Sequence, residues 1–231
     1  SQIFINNKDN TFNRTTTEAL TDDNGMGAAV GDYDNDGDLD WFISSIFDPN
    51  GLPDDLAPGV HTGTTGNRLY RNRGDGSFED VTDEAGVRYG SWGWGSCFAD
   101  FNNDGYLDIF HVNGFVTENF ISSATFLTEG SRLFISNQHG TFTELSLELN
   151  LIDRGQGRGI VCFDYDRDGD VDIFVANNQQ SPVLFRNDGG NDQNFLHIKV
   201  AGEDLNSEAI GARIYVTTGG STQMREIYSG N

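Results

Sequence analysis

Apolar residues along this chain come in short runs of two to five, separated by clusters of Asp, Asn and Gly, and the same order of runs returns three times. Each copy holds an apolar arm (Ile3-Phe4-Ile5, Leu69-Tyr70, Leu133-Phe134-Ile135), a polar turn, and a second arm beginning at Phe12, Phe78 or Phe142. Apolar arms flanking turn residues such as Gly74-Asp75-Gly76-Ser77 or Gln138-His139-Gly140-Thr141 predict β-hairpins. A Gly-rich run follows the hairpin, as in Gly27-Ala28-Ala29-Val30 and Gly157-Arg158-Gly159-Ile160, then an aspartate-rich segment. A strand-like run closes the period: Trp41-Phe42-Ile43-Ser44, Ile109-Phe110-His111-Val112 or Ile173-Phe174-Val175-Ala176. No helical periodicity competes with this pattern.

One period therefore predicts four short antiparallel strands, the content of a propeller blade. The fold class expected is all-β: propeller blades with Asp-rich calcium loops, part of a larger propeller because such folds close with about four to eight blades. Residues 1–190 hold about three repeats, the first entered mid-blade, since the chain already reads as strand at Ser1. A fourth copy of the hairpin arm starts at Leu184-Phe185-Arg186-Asn187, after which the pattern changes, and 191–231 reads as the truncated start of a second β domain. Insertions at 47–66 and 115–130 fall at the same point of successive repeats, which places both on one face of the array.

The aspartate segments align without gaps, beginning at Asp32, Asp100 and Asp164. In Asp-x-Asp-x-Asp-Gly-x-x-Asp, side chains at positions one, three and five converge on one centre, glycine at six allows the turn, and position seven offers its carbonyl. The expected ligands are Asp32, Asp34, Asp36 and Asp40 with the carbonyl of Asp38. In the second loop they are Asp100, Asn102, Asp104 and Asp108 with the carbonyl of Tyr106, and in the third Asp164, Asp166, Asp168 and Asp172 with the carbonyl of Asp170. Crowded hard oxygen ligands suit Ca²⁺, about three ions per chain, and Asn102 makes the second loop the weakest. These are not EF-hands, because position twelve is Ile43, His111 or Val175 where a bidentate Glu would stand. Modular sites of this kind work at ~10⁻⁴ to 10⁻³ M calcium, an extracellular level.

Asp and Glu outnumber Lys and Arg by 36 to 14, a formal net charge of −22, which argues against nucleic acid as a partner. The 17 Phe, 7 Tyr and 3 Trp supply a packed core, so the acidity is not that of a disordered tail. No run is long and apolar enough for a membrane span. Cys97 and Cys162 stand one step out of phase relative to their loops and are read as buried free thiols, a disulfide or reactive role being the lesser alternative.

No catalytic motif appears, so the chain is read as a non-enzymatic module. His61, Arg88, Tyr89 and His111 are the weak candidates for the alternative, the propeller part of a carbohydrate-active enzyme such as a polysaccharide lyase. Trp92 and Trp94, with Trp41, suit core packing better than stacking on sugars. Arg73-Gly74-Asp75 is the tripeptide integrins read, but it falls where a hairpin turn is expected.

Residues 1–190 resemble FG-GAP/VCBS repeats, through the three Asp loops with their Leu-Asp-x-Phe or Val-Asp-x-Phe continuation and through the segment 71–82. The segments 194–202, 209–216 and 223–227 resemble the start of an ASPIC/UnbV domain. The resemblance implies calcium-bearing blades like those of integrin α-chain propellers and bacterial surface proteins. The expectation is an extracellular, secreted or cell-surface module that binds a protein or polysaccharide of the surface or matrix, with self-assembly into a filament or sheath as a further alternative.

Overall fold

The computed structural model describes residues 2–15, 18–48, 65–115, 126, 129–189 and 192–229. A hairpin of β1 (Ile3–Asn6) and β2 (Phe12–Thr15) comes first. The first full sheet is β3 (Gly27–Gly31), β4 (Asp40–Ser44), β5 (Arg68–Asn72) and β6 (Phe78–Asp80), paired in that order. The second repeats it with β7 (Gly93–Ala99), β8 (Asp108–Asn113), β9 (Arg132–Ser136) and β10 (Phe142–Glu144). A third sheet holds β11 (Gly157–Phe163), β12 (Asp172–Asn177) and β13 (Val183–Phe185), and a separate hairpin holds β14 (Arg213–Thr218) and β15 (Ser221–Glu226). Every strand pair among the described residues is antiparallel, and the predicted four-strand meander is present twice in full.

The sheets stack face to face with their first strands side by side, β3 against β7 and β7 against β11. Alternation decides which residues meet. In the first sheet Ala29, Phe42 and Leu69 face the second sheet, which answers with Phe98, Ile109 and Phe134. In the second, the opposite set, Phe110, Leu133 and Cys97, faces Ile160, Ile173 and Val183 of the third. Phe42, Leu69, Ile109 and Phe110 are fully buried, and each such burial stabilises the fold by roughly 1.5–3 kcal/mol. The first strands approach closely: a Cβ on Gly95 of β7 would come within 2.7 Å of the Arg158 carbonyl oxygen on β11.

The reading of the two cysteines as free thiols is overturned: Cys97 and Cys162 form a disulfide with Cα atoms 6.7 Å apart. The phase difference that argued against pairing is what produces it. Cys97 pairs across its sheet with Phe110 and Cys162 with Ile173, one step apart relative to their loops. Residues one step apart point to opposite faces of their own sheets. Two sheets stacked face to face bring such residues together.

A single helical turn, α1 (Thr82–Ala85), follows β6 where no helix was predicted. Val81, Ala85 and Val87 pack into the first inter-sheet core. Thr82 locks the turn, its hydroxyl donating to Asp80 at 2.5 Å and accepting from the Leu69 N–H at 2.9 Å. Ser146 repeats this in the second sheet, accepting from the Leu133 N–H at 2.6 Å and donating to Glu144.

Candidate metal centre

Each aspartate segment joins the first strand of a sheet to its second, so all three lie at one end of the stack. The loop is shaped by backbone donors. Asp32 accepts from the N–H groups of Asp36 and Gly37 at 3.0 and 3.1 Å. Asp100 does the same with Asp104 and Gly105, and Asp164 with Asp168 and Gly169. Position six is Gly37, Gly105 or Gly169, with φ of 93, 93 and 100°, a region that other residues enter only with strain.

The ninth residue ties the loop to its own sheet. Asp40 accepts from the Tyr33 N–H at 3.2 Å and the Asn72 N–H at 2.8 Å. Asp108 accepts from Phe101 and Ser136, and Asp172 from Tyr165 and Asn187, with equivalent geometry. All three are fully buried. Asp40, Asp108 and Asp172 thus link the loop to the exit of the third strand besides offering oxygen lone pairs.

Of the expected ligands, the structure gathers positions one, three and nine: Asp32, Asp34 and Asp40 present carboxylate oxygens within 4.8 Å of one another, as do Asp164, Asp166 and Asp172. Position five is not among these grouped oxygens; Asp36, Asp104 and Asp168 each accept from the N–H two residues on, at 2.9, 2.9 and 3.0 Å. In the second loop Asn102 donates its amide to Asp104 at 3.2 Å.

Burial, followed by the neighbouring carboxylates, pushes Asp32 up to about 6 against the backbone hydrogen bonds that favour its charge. Burial likewise drives Asp40 up to about 8 and Asp108 up to about 7. Raised carboxylates packed together are what a cation relieves. The fit is best in the first loop, where the Asp34 Oδ1 is buried without a hydrogen-bond donor among the described residues. A set made only of oxygen atoms suits calcium rather than a softer metal.

Sequence reasoning missed how the loops connect. Asn35 donates to the Gly105 carbonyl of the second loop at 3.1 Å, and Asn103 to the Gly169 carbonyl of the third at the same distance. Both occupy position four with positive φ, 61 and 53°, a conformation that Asn adopts more readily than most residues. The carboxy-terminal segment also reaches this rim. His197 Nε2 lies 3.1 Å from Asp164, and Gln223 packs on Gly105. Arg225 is largely buried near Asp100 and Asp32; burial pulls its guanidinium below its ordinary value while those carboxylates favour its charge.

The enzyme candidates do not assemble among the described residues. His111 is fully buried between Phe42 and Phe134. Arg88 pairs with Asp83, and the Tyr89 hydroxyl donates to Glu129 at 3.3 Å. His61 lies outside the described residues, as do the two insertions apart from their ends. Trp41 packs on Tyr70, remote in sequence from Trp92 and Trp94, which sit together beside Phe115 and Arg158. Arg73-Gly74-Asp75 forms the β5–β6 turn, with Arg73 paired to Glu79 and Asp75 accepting from Ser77.

Stacked four-stranded sheets with recurrent Asp loops define a β-propeller-like repeat fold, and residues 1–43 and 47–111 match the family model of the FG-GAP-like repeat. Over those residues the chain is similar to FG-GAP-like repeats. Over 228 residues it is 28% identical to cartilage acidic protein 1 of Homo sapiens, covering 94% of this chain and 30% of that protein. Cartilage acidic protein 1 of Mus musculus is also 28% identical, with 94% and 31% covered. The chain thus spans just under a third of the length of these curated relatives.

Proposed function

We propose that the chain is a calcium-stapled, extracellular β-propeller segment serving as a binding or scaffold module for a protein or polysaccharide partner. The observation that carries this is the row of linked carboxylate loops along one rim, with three convergent acids in the first and third. Calcium would be held by Asp32, Asp34, Asp36 and Asp40 in the first loop. In the second the ligands would be Asp100, Asn102, Asp104 and Asp108, and in the third Asp164, Asp166, Asp168 and Asp172. The carbonyls of Asp38, Tyr106 and Asp170 would complete the three sites. The ion supplies the charge neutralisation that lets buried carboxylates stay ionised, and it rigidifies the link between first and second strands. The Cys97–Cys162 disulfide suits an oxidising compartment and supports the extracellular placement. Residues 191–231 fit the start of an ASPIC/UnbV-like domain that packs against the loop rim.

The outer face of the third sheet supports a longer array. Phe42 and Phe110 are 0% exposed and Leu69 and Leu133 are 0% and 1%, whereas the equivalent Phe174 and Leu184 are 36% and 44% exposed. A further blade of the same repeat would cover them.

The test is thermal unfolding with calcium and with EDTA, alongside metal quantification of the purified protein. About three calcium ions per chain and a melting temperature that falls on chelation are expected, because a ligand bound only by the folded state stabilises it by mass action. A metal-free protein indifferent to EDTA would sink the proposal.

A further inference from the structure

At the end of the stack opposite the aspartate loops, where β7 and β11 begin, Trp92, Trp94, Phe115, Gln156, Arg158 and Gln179 line a cavity of about 530 Å³. We propose that this cavity binds a carboxylated sugar, a uronate unit of an acidic oligosaccharide. The inference rests on the reading of the chain as a binding module and names where that binding occurs and what is bound.

The walls are aromatic and held in place. Trp92 lies against Phe115 with ring centroids 4.3 Å apart and meets Phe126 edge-on at 5.2 Å. Trp94 donates its indole N–H to the Gly114 carbonyl at 2.7 Å, and the Arg158 guanidinium lies 4.1 Å over its ring. Arg158 Nη1 donates to the carbonyls of Gly114 and Gly157 at 3.1 and 2.9 Å. Glycine at 114 makes room for this, since a Cβ there would collide with Arg158 Nη1.

Two groups in the cavity call for a ligand. The Arg158 guanidinium is partly buried and desolvated, yet none of the carboxylates among the described residues pairs with it, although the chain carries 36 acidic residues. Gln156 Oε1 is a buried acceptor with no donor among the described residues, a state that costs on the order of 1–3 kcal/mol until an O–H or N–H arrives. A planar guanidinium matches a carboxylate in two parallel hydrogen bonds, and a sugar hydroxyl satisfies the carboxamide oxygen. Indole faces suit the apolar C–H face of a pyranose, and Asn178 and Gln179 at the exposed rim add both donors and acceptors.

The volume lies within the roughly 300–1,000 Å³ of small-ligand sites. Among the described residues the lining has no aliphatic side chain, which disfavours a peptide with apolar anchors. The net charge of −22 repels long polyanions, so the site suits a single uronate unit of a short chain.

The experiment titrates the calcium-loaded protein with tetragalacturonate and with its carboxyl-reduced, neutral counterpart, following tryptophan fluorescence and heat. Saturable binding of the acid is expected, about tenfold or more tighter than the neutral sugar, the size of one charge-assisted hydrogen-bond pair. Arg158→Gln should bring the two sugars to equal affinity, and Gln179→Ala at the exposed rim should weaken both while leaving the melting temperature unchanged. No saturable binding, equal affinity for acid and neutral sugar in the unaltered protein, or an acid preference that survives in folded Arg158→Gln overturns the assignment. So does an acidic tetrapeptide that binds where the sugars do not. EDTA-dependent melting, measured on the same samples, separates the two readings. If it persists while the sugars fail, only the cavity assignment falls; if it is absent, the calcium scaffold falls whatever the sugars do.

Discussion

His111 sits on β8 with its ring stacked between Phe42 and Phe134 and its Nε2 accepting from Asn67 at 3.2 Å. Burial, reinforced by Arg132 and opposed by the Val112 carbonyl, pushes its pKa down to about 3. The neutral ring is therefore a native requirement. Its contribution is present above the ordinary value near 6.5 and is lost as pH falls from there toward 3, at about 1.4 kcal/mol per unit. Asp32, Asp40 and Asp108, raised by burial, act in the opposite sense, since they favour the fold as pH falls. Comparison with His111→Gln, in which the amide replaces the acceptor, cancels them. Urea unfolding should find the variant about 1–3 kcal/mol less stable at pH 7, with the gap narrowing by pH 4.5; a constant gap would show that the histidine does not titrate with folding. At this scale the carboxylates of the loops were legible, because alternating acids around a glycine serve one local geometry. Asn35 and Asn103 were not, because their partners lie in the next repeat.

Strands and their pairing followed from apolar runs and turn residues, and the hairpins at Phe12, Phe78 and Phe142 formed where the sequence placed them. The cysteines were misread because their phase was judged within one sheet, whereas the pair forms between two. Its effect belongs to the elements it joins, β7 and β11, 65 residues apart along the chain. A closed loop of that length lowers the entropy of the unfolded chain by about 4 kcal/mol in free-energy terms, although measured gains run lower. Replacing both cysteines by serine should cost about 2–4 kcal/mol in chemical denaturation, and a loss below 1 kcal/mol would mean that the second inter-sheet core alone holds the blades together. The turn α1 was missed because four residues are too few for a helical period, and its anchors are tertiary: Thr82 to Leu69, and Val87 in the core.

For the whole molecule, the repeat period fixed the architecture before any strand was placed, since a unit that returns three times must stack on copies of itself. What the period could not show is which surface stays uncovered. The third sheet turns Val161, Phe163, Phe174 and Leu184 outward, and a patch of this kind promotes association. Light scattering should detect concentration-dependent dimers of this segment. The double change Phe174→Lys and Leu184→Lys should keep it monomeric with its melting temperature little altered; dimers that persist would place the contact elsewhere. The disulfide reaches beyond stability, because it closes residues 97–162, from the first strand of the second blade to the first strand of the third, into a covalent ring. A protease that cuts the backbone anywhere between the two cysteines, including the 115–130 insertion, leaves both fragments on one molecule. Such a nicked protein would run as a single band until a reductant is added, and then as two.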